Sequence, residues 1–201
     1  MNLIQRAGSA IVLASAFANT AFAGLADVPA GNYELEKTHA YITFTYSHLG
    51  FSNPVVGFND FDVALSLDNE DVSSSTLNVS IDPASIDSKV EKFDAHLKGD
   101  DMFDVAKFPS ITFNATSIEM TGDNTMDVTG NLTMKDVTKQ VTLKAVLNKA
   151  GTHPFSKKPT LGISASTKLM RKDWNLGYAV PAVGNEVTLN IQVELNYADG
   201  E

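Results

Sequence analysis

The feature that most constrains this chain is a two-residue hydrophobic rhythm, restarted many times between residues 42 and 197. In the first stretch Ile42, Phe44, Tyr46 and His48 fall on one face and Thr43, Thr45 and Ser47 on the other. Residues 55–67 read as one long second strand, with Phe61, Val63, Leu65 and Leu67 on a common face. Leu77, Val79 and Ile81 alternate with polar residues until Asp82-Pro83 breaks the run. Residues 111–115, 126–134, 141–147, 161–169 and 187–197 repeat the pattern, and residues 32–36 supply a ninth candidate strand. Successive side chains of a strand point to opposite faces, so such alternation makes each strand apolar on one side only.

A set of one-sided strands must close on itself or stack on a second sheet. About eight strands closed into a barrel leave room for one ligand, whereas in a sandwich the same residues interlock. Alternation alone leaves both open. On either reading Ile42, Phe44, Tyr46, Phe61, Val63, Leu65, Leu77, Val79, Phe113, Leu132, Leu143 and Ile191 are expected to face one interior.

One segment breaks the rhythm. Ser88-Lys89-Val90-Glu91 has the spacing of a capping box, followed by Val90, Phe93 and Leu97 on one helical face. Gly99 is expected to end this helix in the left-handed conformation, and residues 100–106 to add a turn. Phe58, Phe93, Leu97, Met102 and Phe103 would then close or border one end of the interior.

Residues 1–23 read as a signal peptide: Arg6 is followed by the short apolar run 10–18 and by Ala21-Phe22-Ala23, an A-x-A cleavage pattern. The mature domain is therefore expected to span residues 24–201 and to reside in the periplasm. No later run is long and apolar enough to span a membrane. There is no Cys, which excludes disulfides and thiolate metal sites. The chain carries a net charge of −9, and Arg6 is the single charged residue of the first 23, leaving −10 beyond them. That balance argues against a nucleic-acid partner, which needs a basic face.

Nothing in the sequence spells an enzyme. The histidines at 39, 48, 96 and 153 fit no H-x-x-x-H or H-E-x-x-H spacing, so no metal site is expected, and no nucleophile elbow, phosphate loop or dinucleotide fingerprint is present. No cofactor is implied. Two polar residues nevertheless share the inward parity. His48 is either a satisfied rim residue or a contact to a ligand head group. Arg171 continues the parity of Ile163, Ala165, Thr167 and Leu169, which aims a guanidinium at an apolar interior. Such a charge is costly unless paired. The preferred partner is an internal carboxylate, Asp94 or Asp104; a bulge turning it outward, or a polar lipid head, are the alternatives.

Several segments resemble the YceI-like family of polyisoprenoid-binding proteins. They are Thr38-His39 leading to His48, Val56-Gly57-Phe58, the run from His96 to Pro109, the run from Val128 to Lys139, and the run from Ala165 to Trp174. Two positions depart from the family pattern: Asp136 stands where Gly is usual, and Trp174-Asn175 where Phe-Gly is usual. The resemblance implies an all-β, lipocalin-like closed antiparallel barrel of about eight strands with one helical insert. It also implies a periplasmic binding protein, not an enzyme, holding a long isoprenoid or similar apolar lipid in its lumen. Burying about ten methylenes is worth roughly 8 kcal/mol gross, so a purely apolar lumen suffices for such a ligand. Two other functions compete: a packed, ligand-free structural or stress barrel, and an enzyme acting on a lipid head group. A homodimer is left open.

Overall fold

The computed structural model describes residues 24–198, so the signal segment proposed at residues 1–23 lies outside the described residues. The strands are β1 (Gly31–Leu35), β2 (Tyr41–His48), β3 (Val55–Phe58), β4 (Phe61–Leu67), β5 (Thr76–Ile81) and β6 (Ile86–Asp87), followed by helix α1 (Glu91–Lys98). After it come β7 (Ile111–Met120), β8 (Thr125–Met134), β9 (Val137–Thr152), β10 (Pro159–Met170) and β11 (Val183–Tyr197).

One ladder decides between barrel and sandwich. β1 pairs with β11 through Tyr33 opposite Tyr197 and Leu35 opposite Leu195. This joins the two ends of the series β1-β4-β5-β7-β8-β9-β10-β11, and the eight strands form a closed antiparallel barrel. β11 is long enough to do two things. Its last residues pair with β1, while its earlier part, from Val183 to Gln192, pairs with β2. β2 continues into β3 and β6, so the sheet branches at one end of the barrel into a flap of three extra strands.

The expected single strand over residues 55–67 is in fact two. Phe58 and Phe61 are both buried, at 7% and 5% exposure, which one unbroken strand cannot achieve because they have opposite parity. Asn59 and Asp60 break the extension and reset the phase. The 3-10 turn Lys37–His39 does the same between β1 and β2, so that Tyr33 and Ile42 both point inward. Outside the barrel the rows are polar: Asn78, Asn114 and Asn131 stand side by side across β5, β7 and β8. Thr133 and Thr138 share a hydroxyl hydrogen bond of 2.8 Å across the β8–β9 turn.

The helix forms where expected, but not by the expected cap. Val90 is the N-cap residue and no side chain caps it. Instead the Ser88 backbone N–H and hydroxyl both donate to Asp94 Oδ1, at 2.7 and 2.5 Å. The positive φ of Lys89 (66°) turns the chain away from a capping box. Gly99 is extended, with φ −73° and ψ 172°, and the left-handed residue comes later, at Asp104.

The two departures from the family pattern both find a conformational explanation. Lys135 and Asp136 have φ of 47° and 60° between paired Met134 and Val137, a two-residue hairpin of the kind that needs positive φ at both positions. Asn175 has φ 60° at the end of the 3-10 turn Arg171–Trp174. Asp and Asn are the non-glycine residues that tolerate this region best.

Gly130 on β8 is a packing glycine. A Cβ there would meet Phe113 Cζ at 2.5 Å and the Asn114 carbonyl oxygen at 2.6 Å. Gly130→Ala is expected to push the Phe113 ring inward and cost about 1–3 kcal/mol, as overpacking does. A thermal melt measures it, and a variant as stable as wild type would refute the contact.

Candidate functional site

Inside the barrel is an apolar cavity of about 590 Å³. Strand parity supplies its wall: Ile42, Phe44, Tyr46 and His48 from β2, Val79 from β5, Phe113 from β7, Leu132 from β8, Leu143 from β9 and Ile191 from β11. The segment between β6 and β7 supplies its cover, with Phe93 and Leu97 from α1 and Met102 and Phe103 beyond it, against Phe58 of β3. Phe61, Val63, Leu65 and Leu77 do not reach this space. They line a second apolar cavity of about 120 Å³ in the lower barrel, with Leu147, Leu161 and others. Several wall residues, including Phe44, Val79 and Ile191, are half-buried although they face inward, because they border open lumen.

Aromatic contacts hold the cover. Phe58 meets Phe44 at 5.9 Å and Phe103 edge-on at 5.6 Å. His96 lies against Phe93 at 6.3 Å and Tyr178 at 4.9 Å. Such pairs add about 0.5–1.5 kcal/mol each beyond area burial when both rings are well packed. Lys135 Nζ donates to the Met102 carbonyl at 2.5 Å, tying the β8–β9 hairpin to the cover. Asp87 accepts from the side chain and backbone N–H of Lys89 and from Asn59 Nδ2, which hold its carboxyl at about 2, below the usual range.

Arg171 is buried against the cavity at 8% exposure, but the expected partner is wrong. Asp94 is taken by Ser88, and neither Asp94 nor Asp104 pairs with the guanidinium. Arg171 sits one residue past β10, in a 3-10 turn, and its N–H groups donate to backbone carbonyls. Nε bonds Gly184 at 2.8 Å, and one terminal nitrogen bonds Leu176. The other bonds Tyr178 at 2.9 Å and Val183 at 3.1 Å. Four carbonyls replace the carboxylate, and the fork that could have gripped a phosphate is occupied. The residue fastens the irregular chain around Leu176 and Tyr178 to the start of β11 at the barrel rim. Burial lowers its pKa, opposed by the nearby Tyr46 hydroxyl, whose own pKa is raised by burial. Arg remains charged at neutral pH.

The sequence reading missed Trp174, Leu176, Tyr178 and Val183, all of which line the cavity. Trp174 is 3% exposed and its indole N–H donates to the Leu132 carbonyl at 3.2 Å. Trp174, Leu176 and Tyr178 lie in turns and irregular chain, where no periodicity announces a face, and Val183 is the first residue of β11, separated from the regular pairing by a bulge. His48 lines the mouth but is exposed. Exposed Val55, Val90 and Tyr178 surround the same opening.

The fold also builds a cluster that spacing could not reveal. Glu36, His39 and Glu194 bring ligand atoms within 4.8 Å of one another, and none of the three lines either cavity. His39 Nδ1 is 2.7 Å from Glu36 Oε2, and the same carboxylate accepts from the Thr38 hydroxyl. These hydrogen bonds satisfy the Glu36 carboxylate at the surface.

A family model described as a YceI-like domain matches residues 33–195, which takes in every barrel strand but β1's first two residues and β11's last two. The chain belongs to the YceI-like family. It is 38% identical over 167 residues to Protein YceI of Salmonella arizonae and to that of Salmonella enteritidis, covering 82% of this chain and 86% of theirs. Among solved structures, the Campylobacter jejuni YCEI protein superposes with a TM-score of 0.69 at 27% identity, over 74% of this chain and 88% of that one. Burkholderia cenocepacia BcnA gives a TM-score of 0.72 at 21% identity, over 80% and 98%. A polyisoprenoid binding domain from Saccharophagus degradans, implicated in plant cell wall breakdown, gives 0.66 at 12% identity, over 85% and 100%. This YceI-like chain therefore has a lipocalin-like barrel with an internal apolar cavity, and none of its described helices is long and apolar enough to cross a membrane.

Proposed function

We propose that this YceI-like protein is a periplasmic carrier that holds a long isoprenoid, or a lipid of similar shape, in the barrel lumen, and that it binds without catalysis. The observation that carries the reading is the cavity of about 590 Å³ walled by aliphatic and aromatic side chains. A packed structural barrel would have closed this space with its inward residues. The volume falls within the range of pockets that enclose small-molecule ligands. The name of the Saccharophagus neighbour, a polyisoprenoid binding domain, points to the same ligand class. Affinity comes from the buried chain: each methylene contributes roughly 0.8 kcal/mol gross, against the cost of ordering a flexible tail. Apolar walls discriminate length and girth rather than head-group chemistry.

The test is native mass spectrometry of protein isolated from its own periplasm, with organic extraction of the bound material. The expected result is a mass excess that extracts as a prenyl-chain lipid. Protein that emerges empty, and that takes up no prenyl alcohol on titration, would overturn the proposal.

A further inference from the structure

The lumen is two chambers. The upper one, of about 590 Å³, lies under the helical cover; the lower one, of about 120 Å³, lies in the closed part of the barrel. Four residues border both: Ile42 of β2, Val79 of β5, Leu143 of β9 and Ile191 of β11. Ile42 and Ile191 stand directly opposite each other on paired strands. Ile42 and Leu143 are packed, at 3% and 9% exposure, while Val79 and Ile191 are half-buried and face open space. The four side chains thus form a waist between the chambers. The lower chamber is lined almost wholly by aliphatic residues and offers no polar group that a head group could use.

We propose that this waist sets the length of chain the protein accepts: an isoprenoid tail fills the upper chamber, stops at the ring of Ile42, Val79, Leu143 and Ile191, and reaches the lower chamber only when the ring is widened. The inference rests on the carrier reading above. Because the ligand head must stay near the wet mouth, added carbons can go only inward, toward the waist. Each five-carbon unit buried before that point strengthens binding by at least about tenfold, after the cost of ordering is subtracted. Units beyond it must bend back or remain in water and add little. Widening the ring joins to the main cavity a space about a fifth as large.

The experiment is a titration of the whole mature protein with prenyl alcohols of increasing length, from geraniol through farnesol and geranylgeraniol to longer homologues. In the wild type the affinity is expected to climb with each unit and then level off. Val79→Ala and Leu143→Ala should move the levelling point out by at least one unit relative to the wild type. Leu143→Ala removes a packed side chain and could fail to fold; Val79→Ala takes away a half-buried one and keeps the test alive. Ile191→Phe, which narrows the ring, should leave the levelling point where it is or move it in by one unit. Binding that levels at the same length in the wild type and in the widened variants overturns the waist alone. Absence of binding by every alcohol overturns the waist together with the carrier reading.

Discussion

Arg171→Met is expected to lower the stability of the protein by about 2–4 kcal/mol, because removing the guanidinium strands carbonyls that have lost their donors. The loss is not that of an ion pair. Gly184, Leu176, Tyr178 and Val183 all direct carbonyl oxygens at this one side chain, so its removal unfastens two sides of the segment that crosses the barrel rim. Relief of the buried charge offsets part of the cost, and water entering the loosened loop offsets more; hence the range is below the sum for four unsatisfied groups. For a domain of this size the melting temperature should fall by roughly 5–15 °C. Arg171→Lys should recover little, since one ammonium cannot reach four acceptors held in different directions. Asp94→Asn and Asp104→Asn should leave the behaviour of Arg171 unchanged. Thermal melts of the four variants, with limited proteolysis between residues 176 and 184, make the comparison. An Arg171→Met protein that melts with the wild type would show that the carbonyls find water at no cost.

The second large effect is on binding. Val187 and Leu189 are successive inward residues of β11, and both border the upper chamber while remaining half-buried. Their free surface faces lumen, so larger side chains have somewhere to go. Val187→Trp combined with Leu189→Trp should fill part of the chamber and displace about four methylenes of any chain lipid, roughly 3 kcal/mol, or about a hundredfold in Kd. Fold and melting temperature should change little, because the indoles enter space rather than packed core. Titration with a fluorescent prenyl probe, alongside circular dichroism, checks both halves. A double variant that folds and binds as well as wild type would place the ligand elsewhere.

Much of this was legible in the chain itself, and the reasons are uneven. Where strands are regular, parity alone assigns a side chain to lumen or solvent, and Phe44, Val79, Phe113 and Leu143 could be placed from spacing. The run 55–67 reads as one strand because a change of phase at Asn59-Asp60 leaves composition untouched: both halves are apolar, and only the burial of Phe58 and Phe61 together exposes the break. Ser88 and Glu91 had capping-box spacing, yet Asp94 outcompetes the cap because a carboxylate accepts both Ser88 donors at once. Arg171 borders the cavity from a 3-10 turn, and its partners are backbone carbonyls, which have no sequence signature. The cover residues Trp174, Leu176 and Tyr178 belong to turns and irregular chain, which give no period from which to infer a face.

The branching of the sheet at β11 has a consequence for how the molecule breathes. Among the described residues no ladder joins β6 to β7; the gap is spanned by α1 and its neighbouring turns, held by ring contacts and a few side-chain bonds. The closed ring below has a complete backbone ladder. Amide hydrogen exchange should therefore divide the chain into two cooperative units, since regions with fewer backbone ladder bonds and looser packing open at lower free energy than the rest. Amides of β8, β9 and β10 would exchange only with global unfolding, while those of α1 and residues 99–108 would exchange through a smaller opening. An opening of that kind would unseal the lumen while the ring keeps its register, so a lipid of the proposed kind would pass in and out many times in the lifetime of one folded molecule.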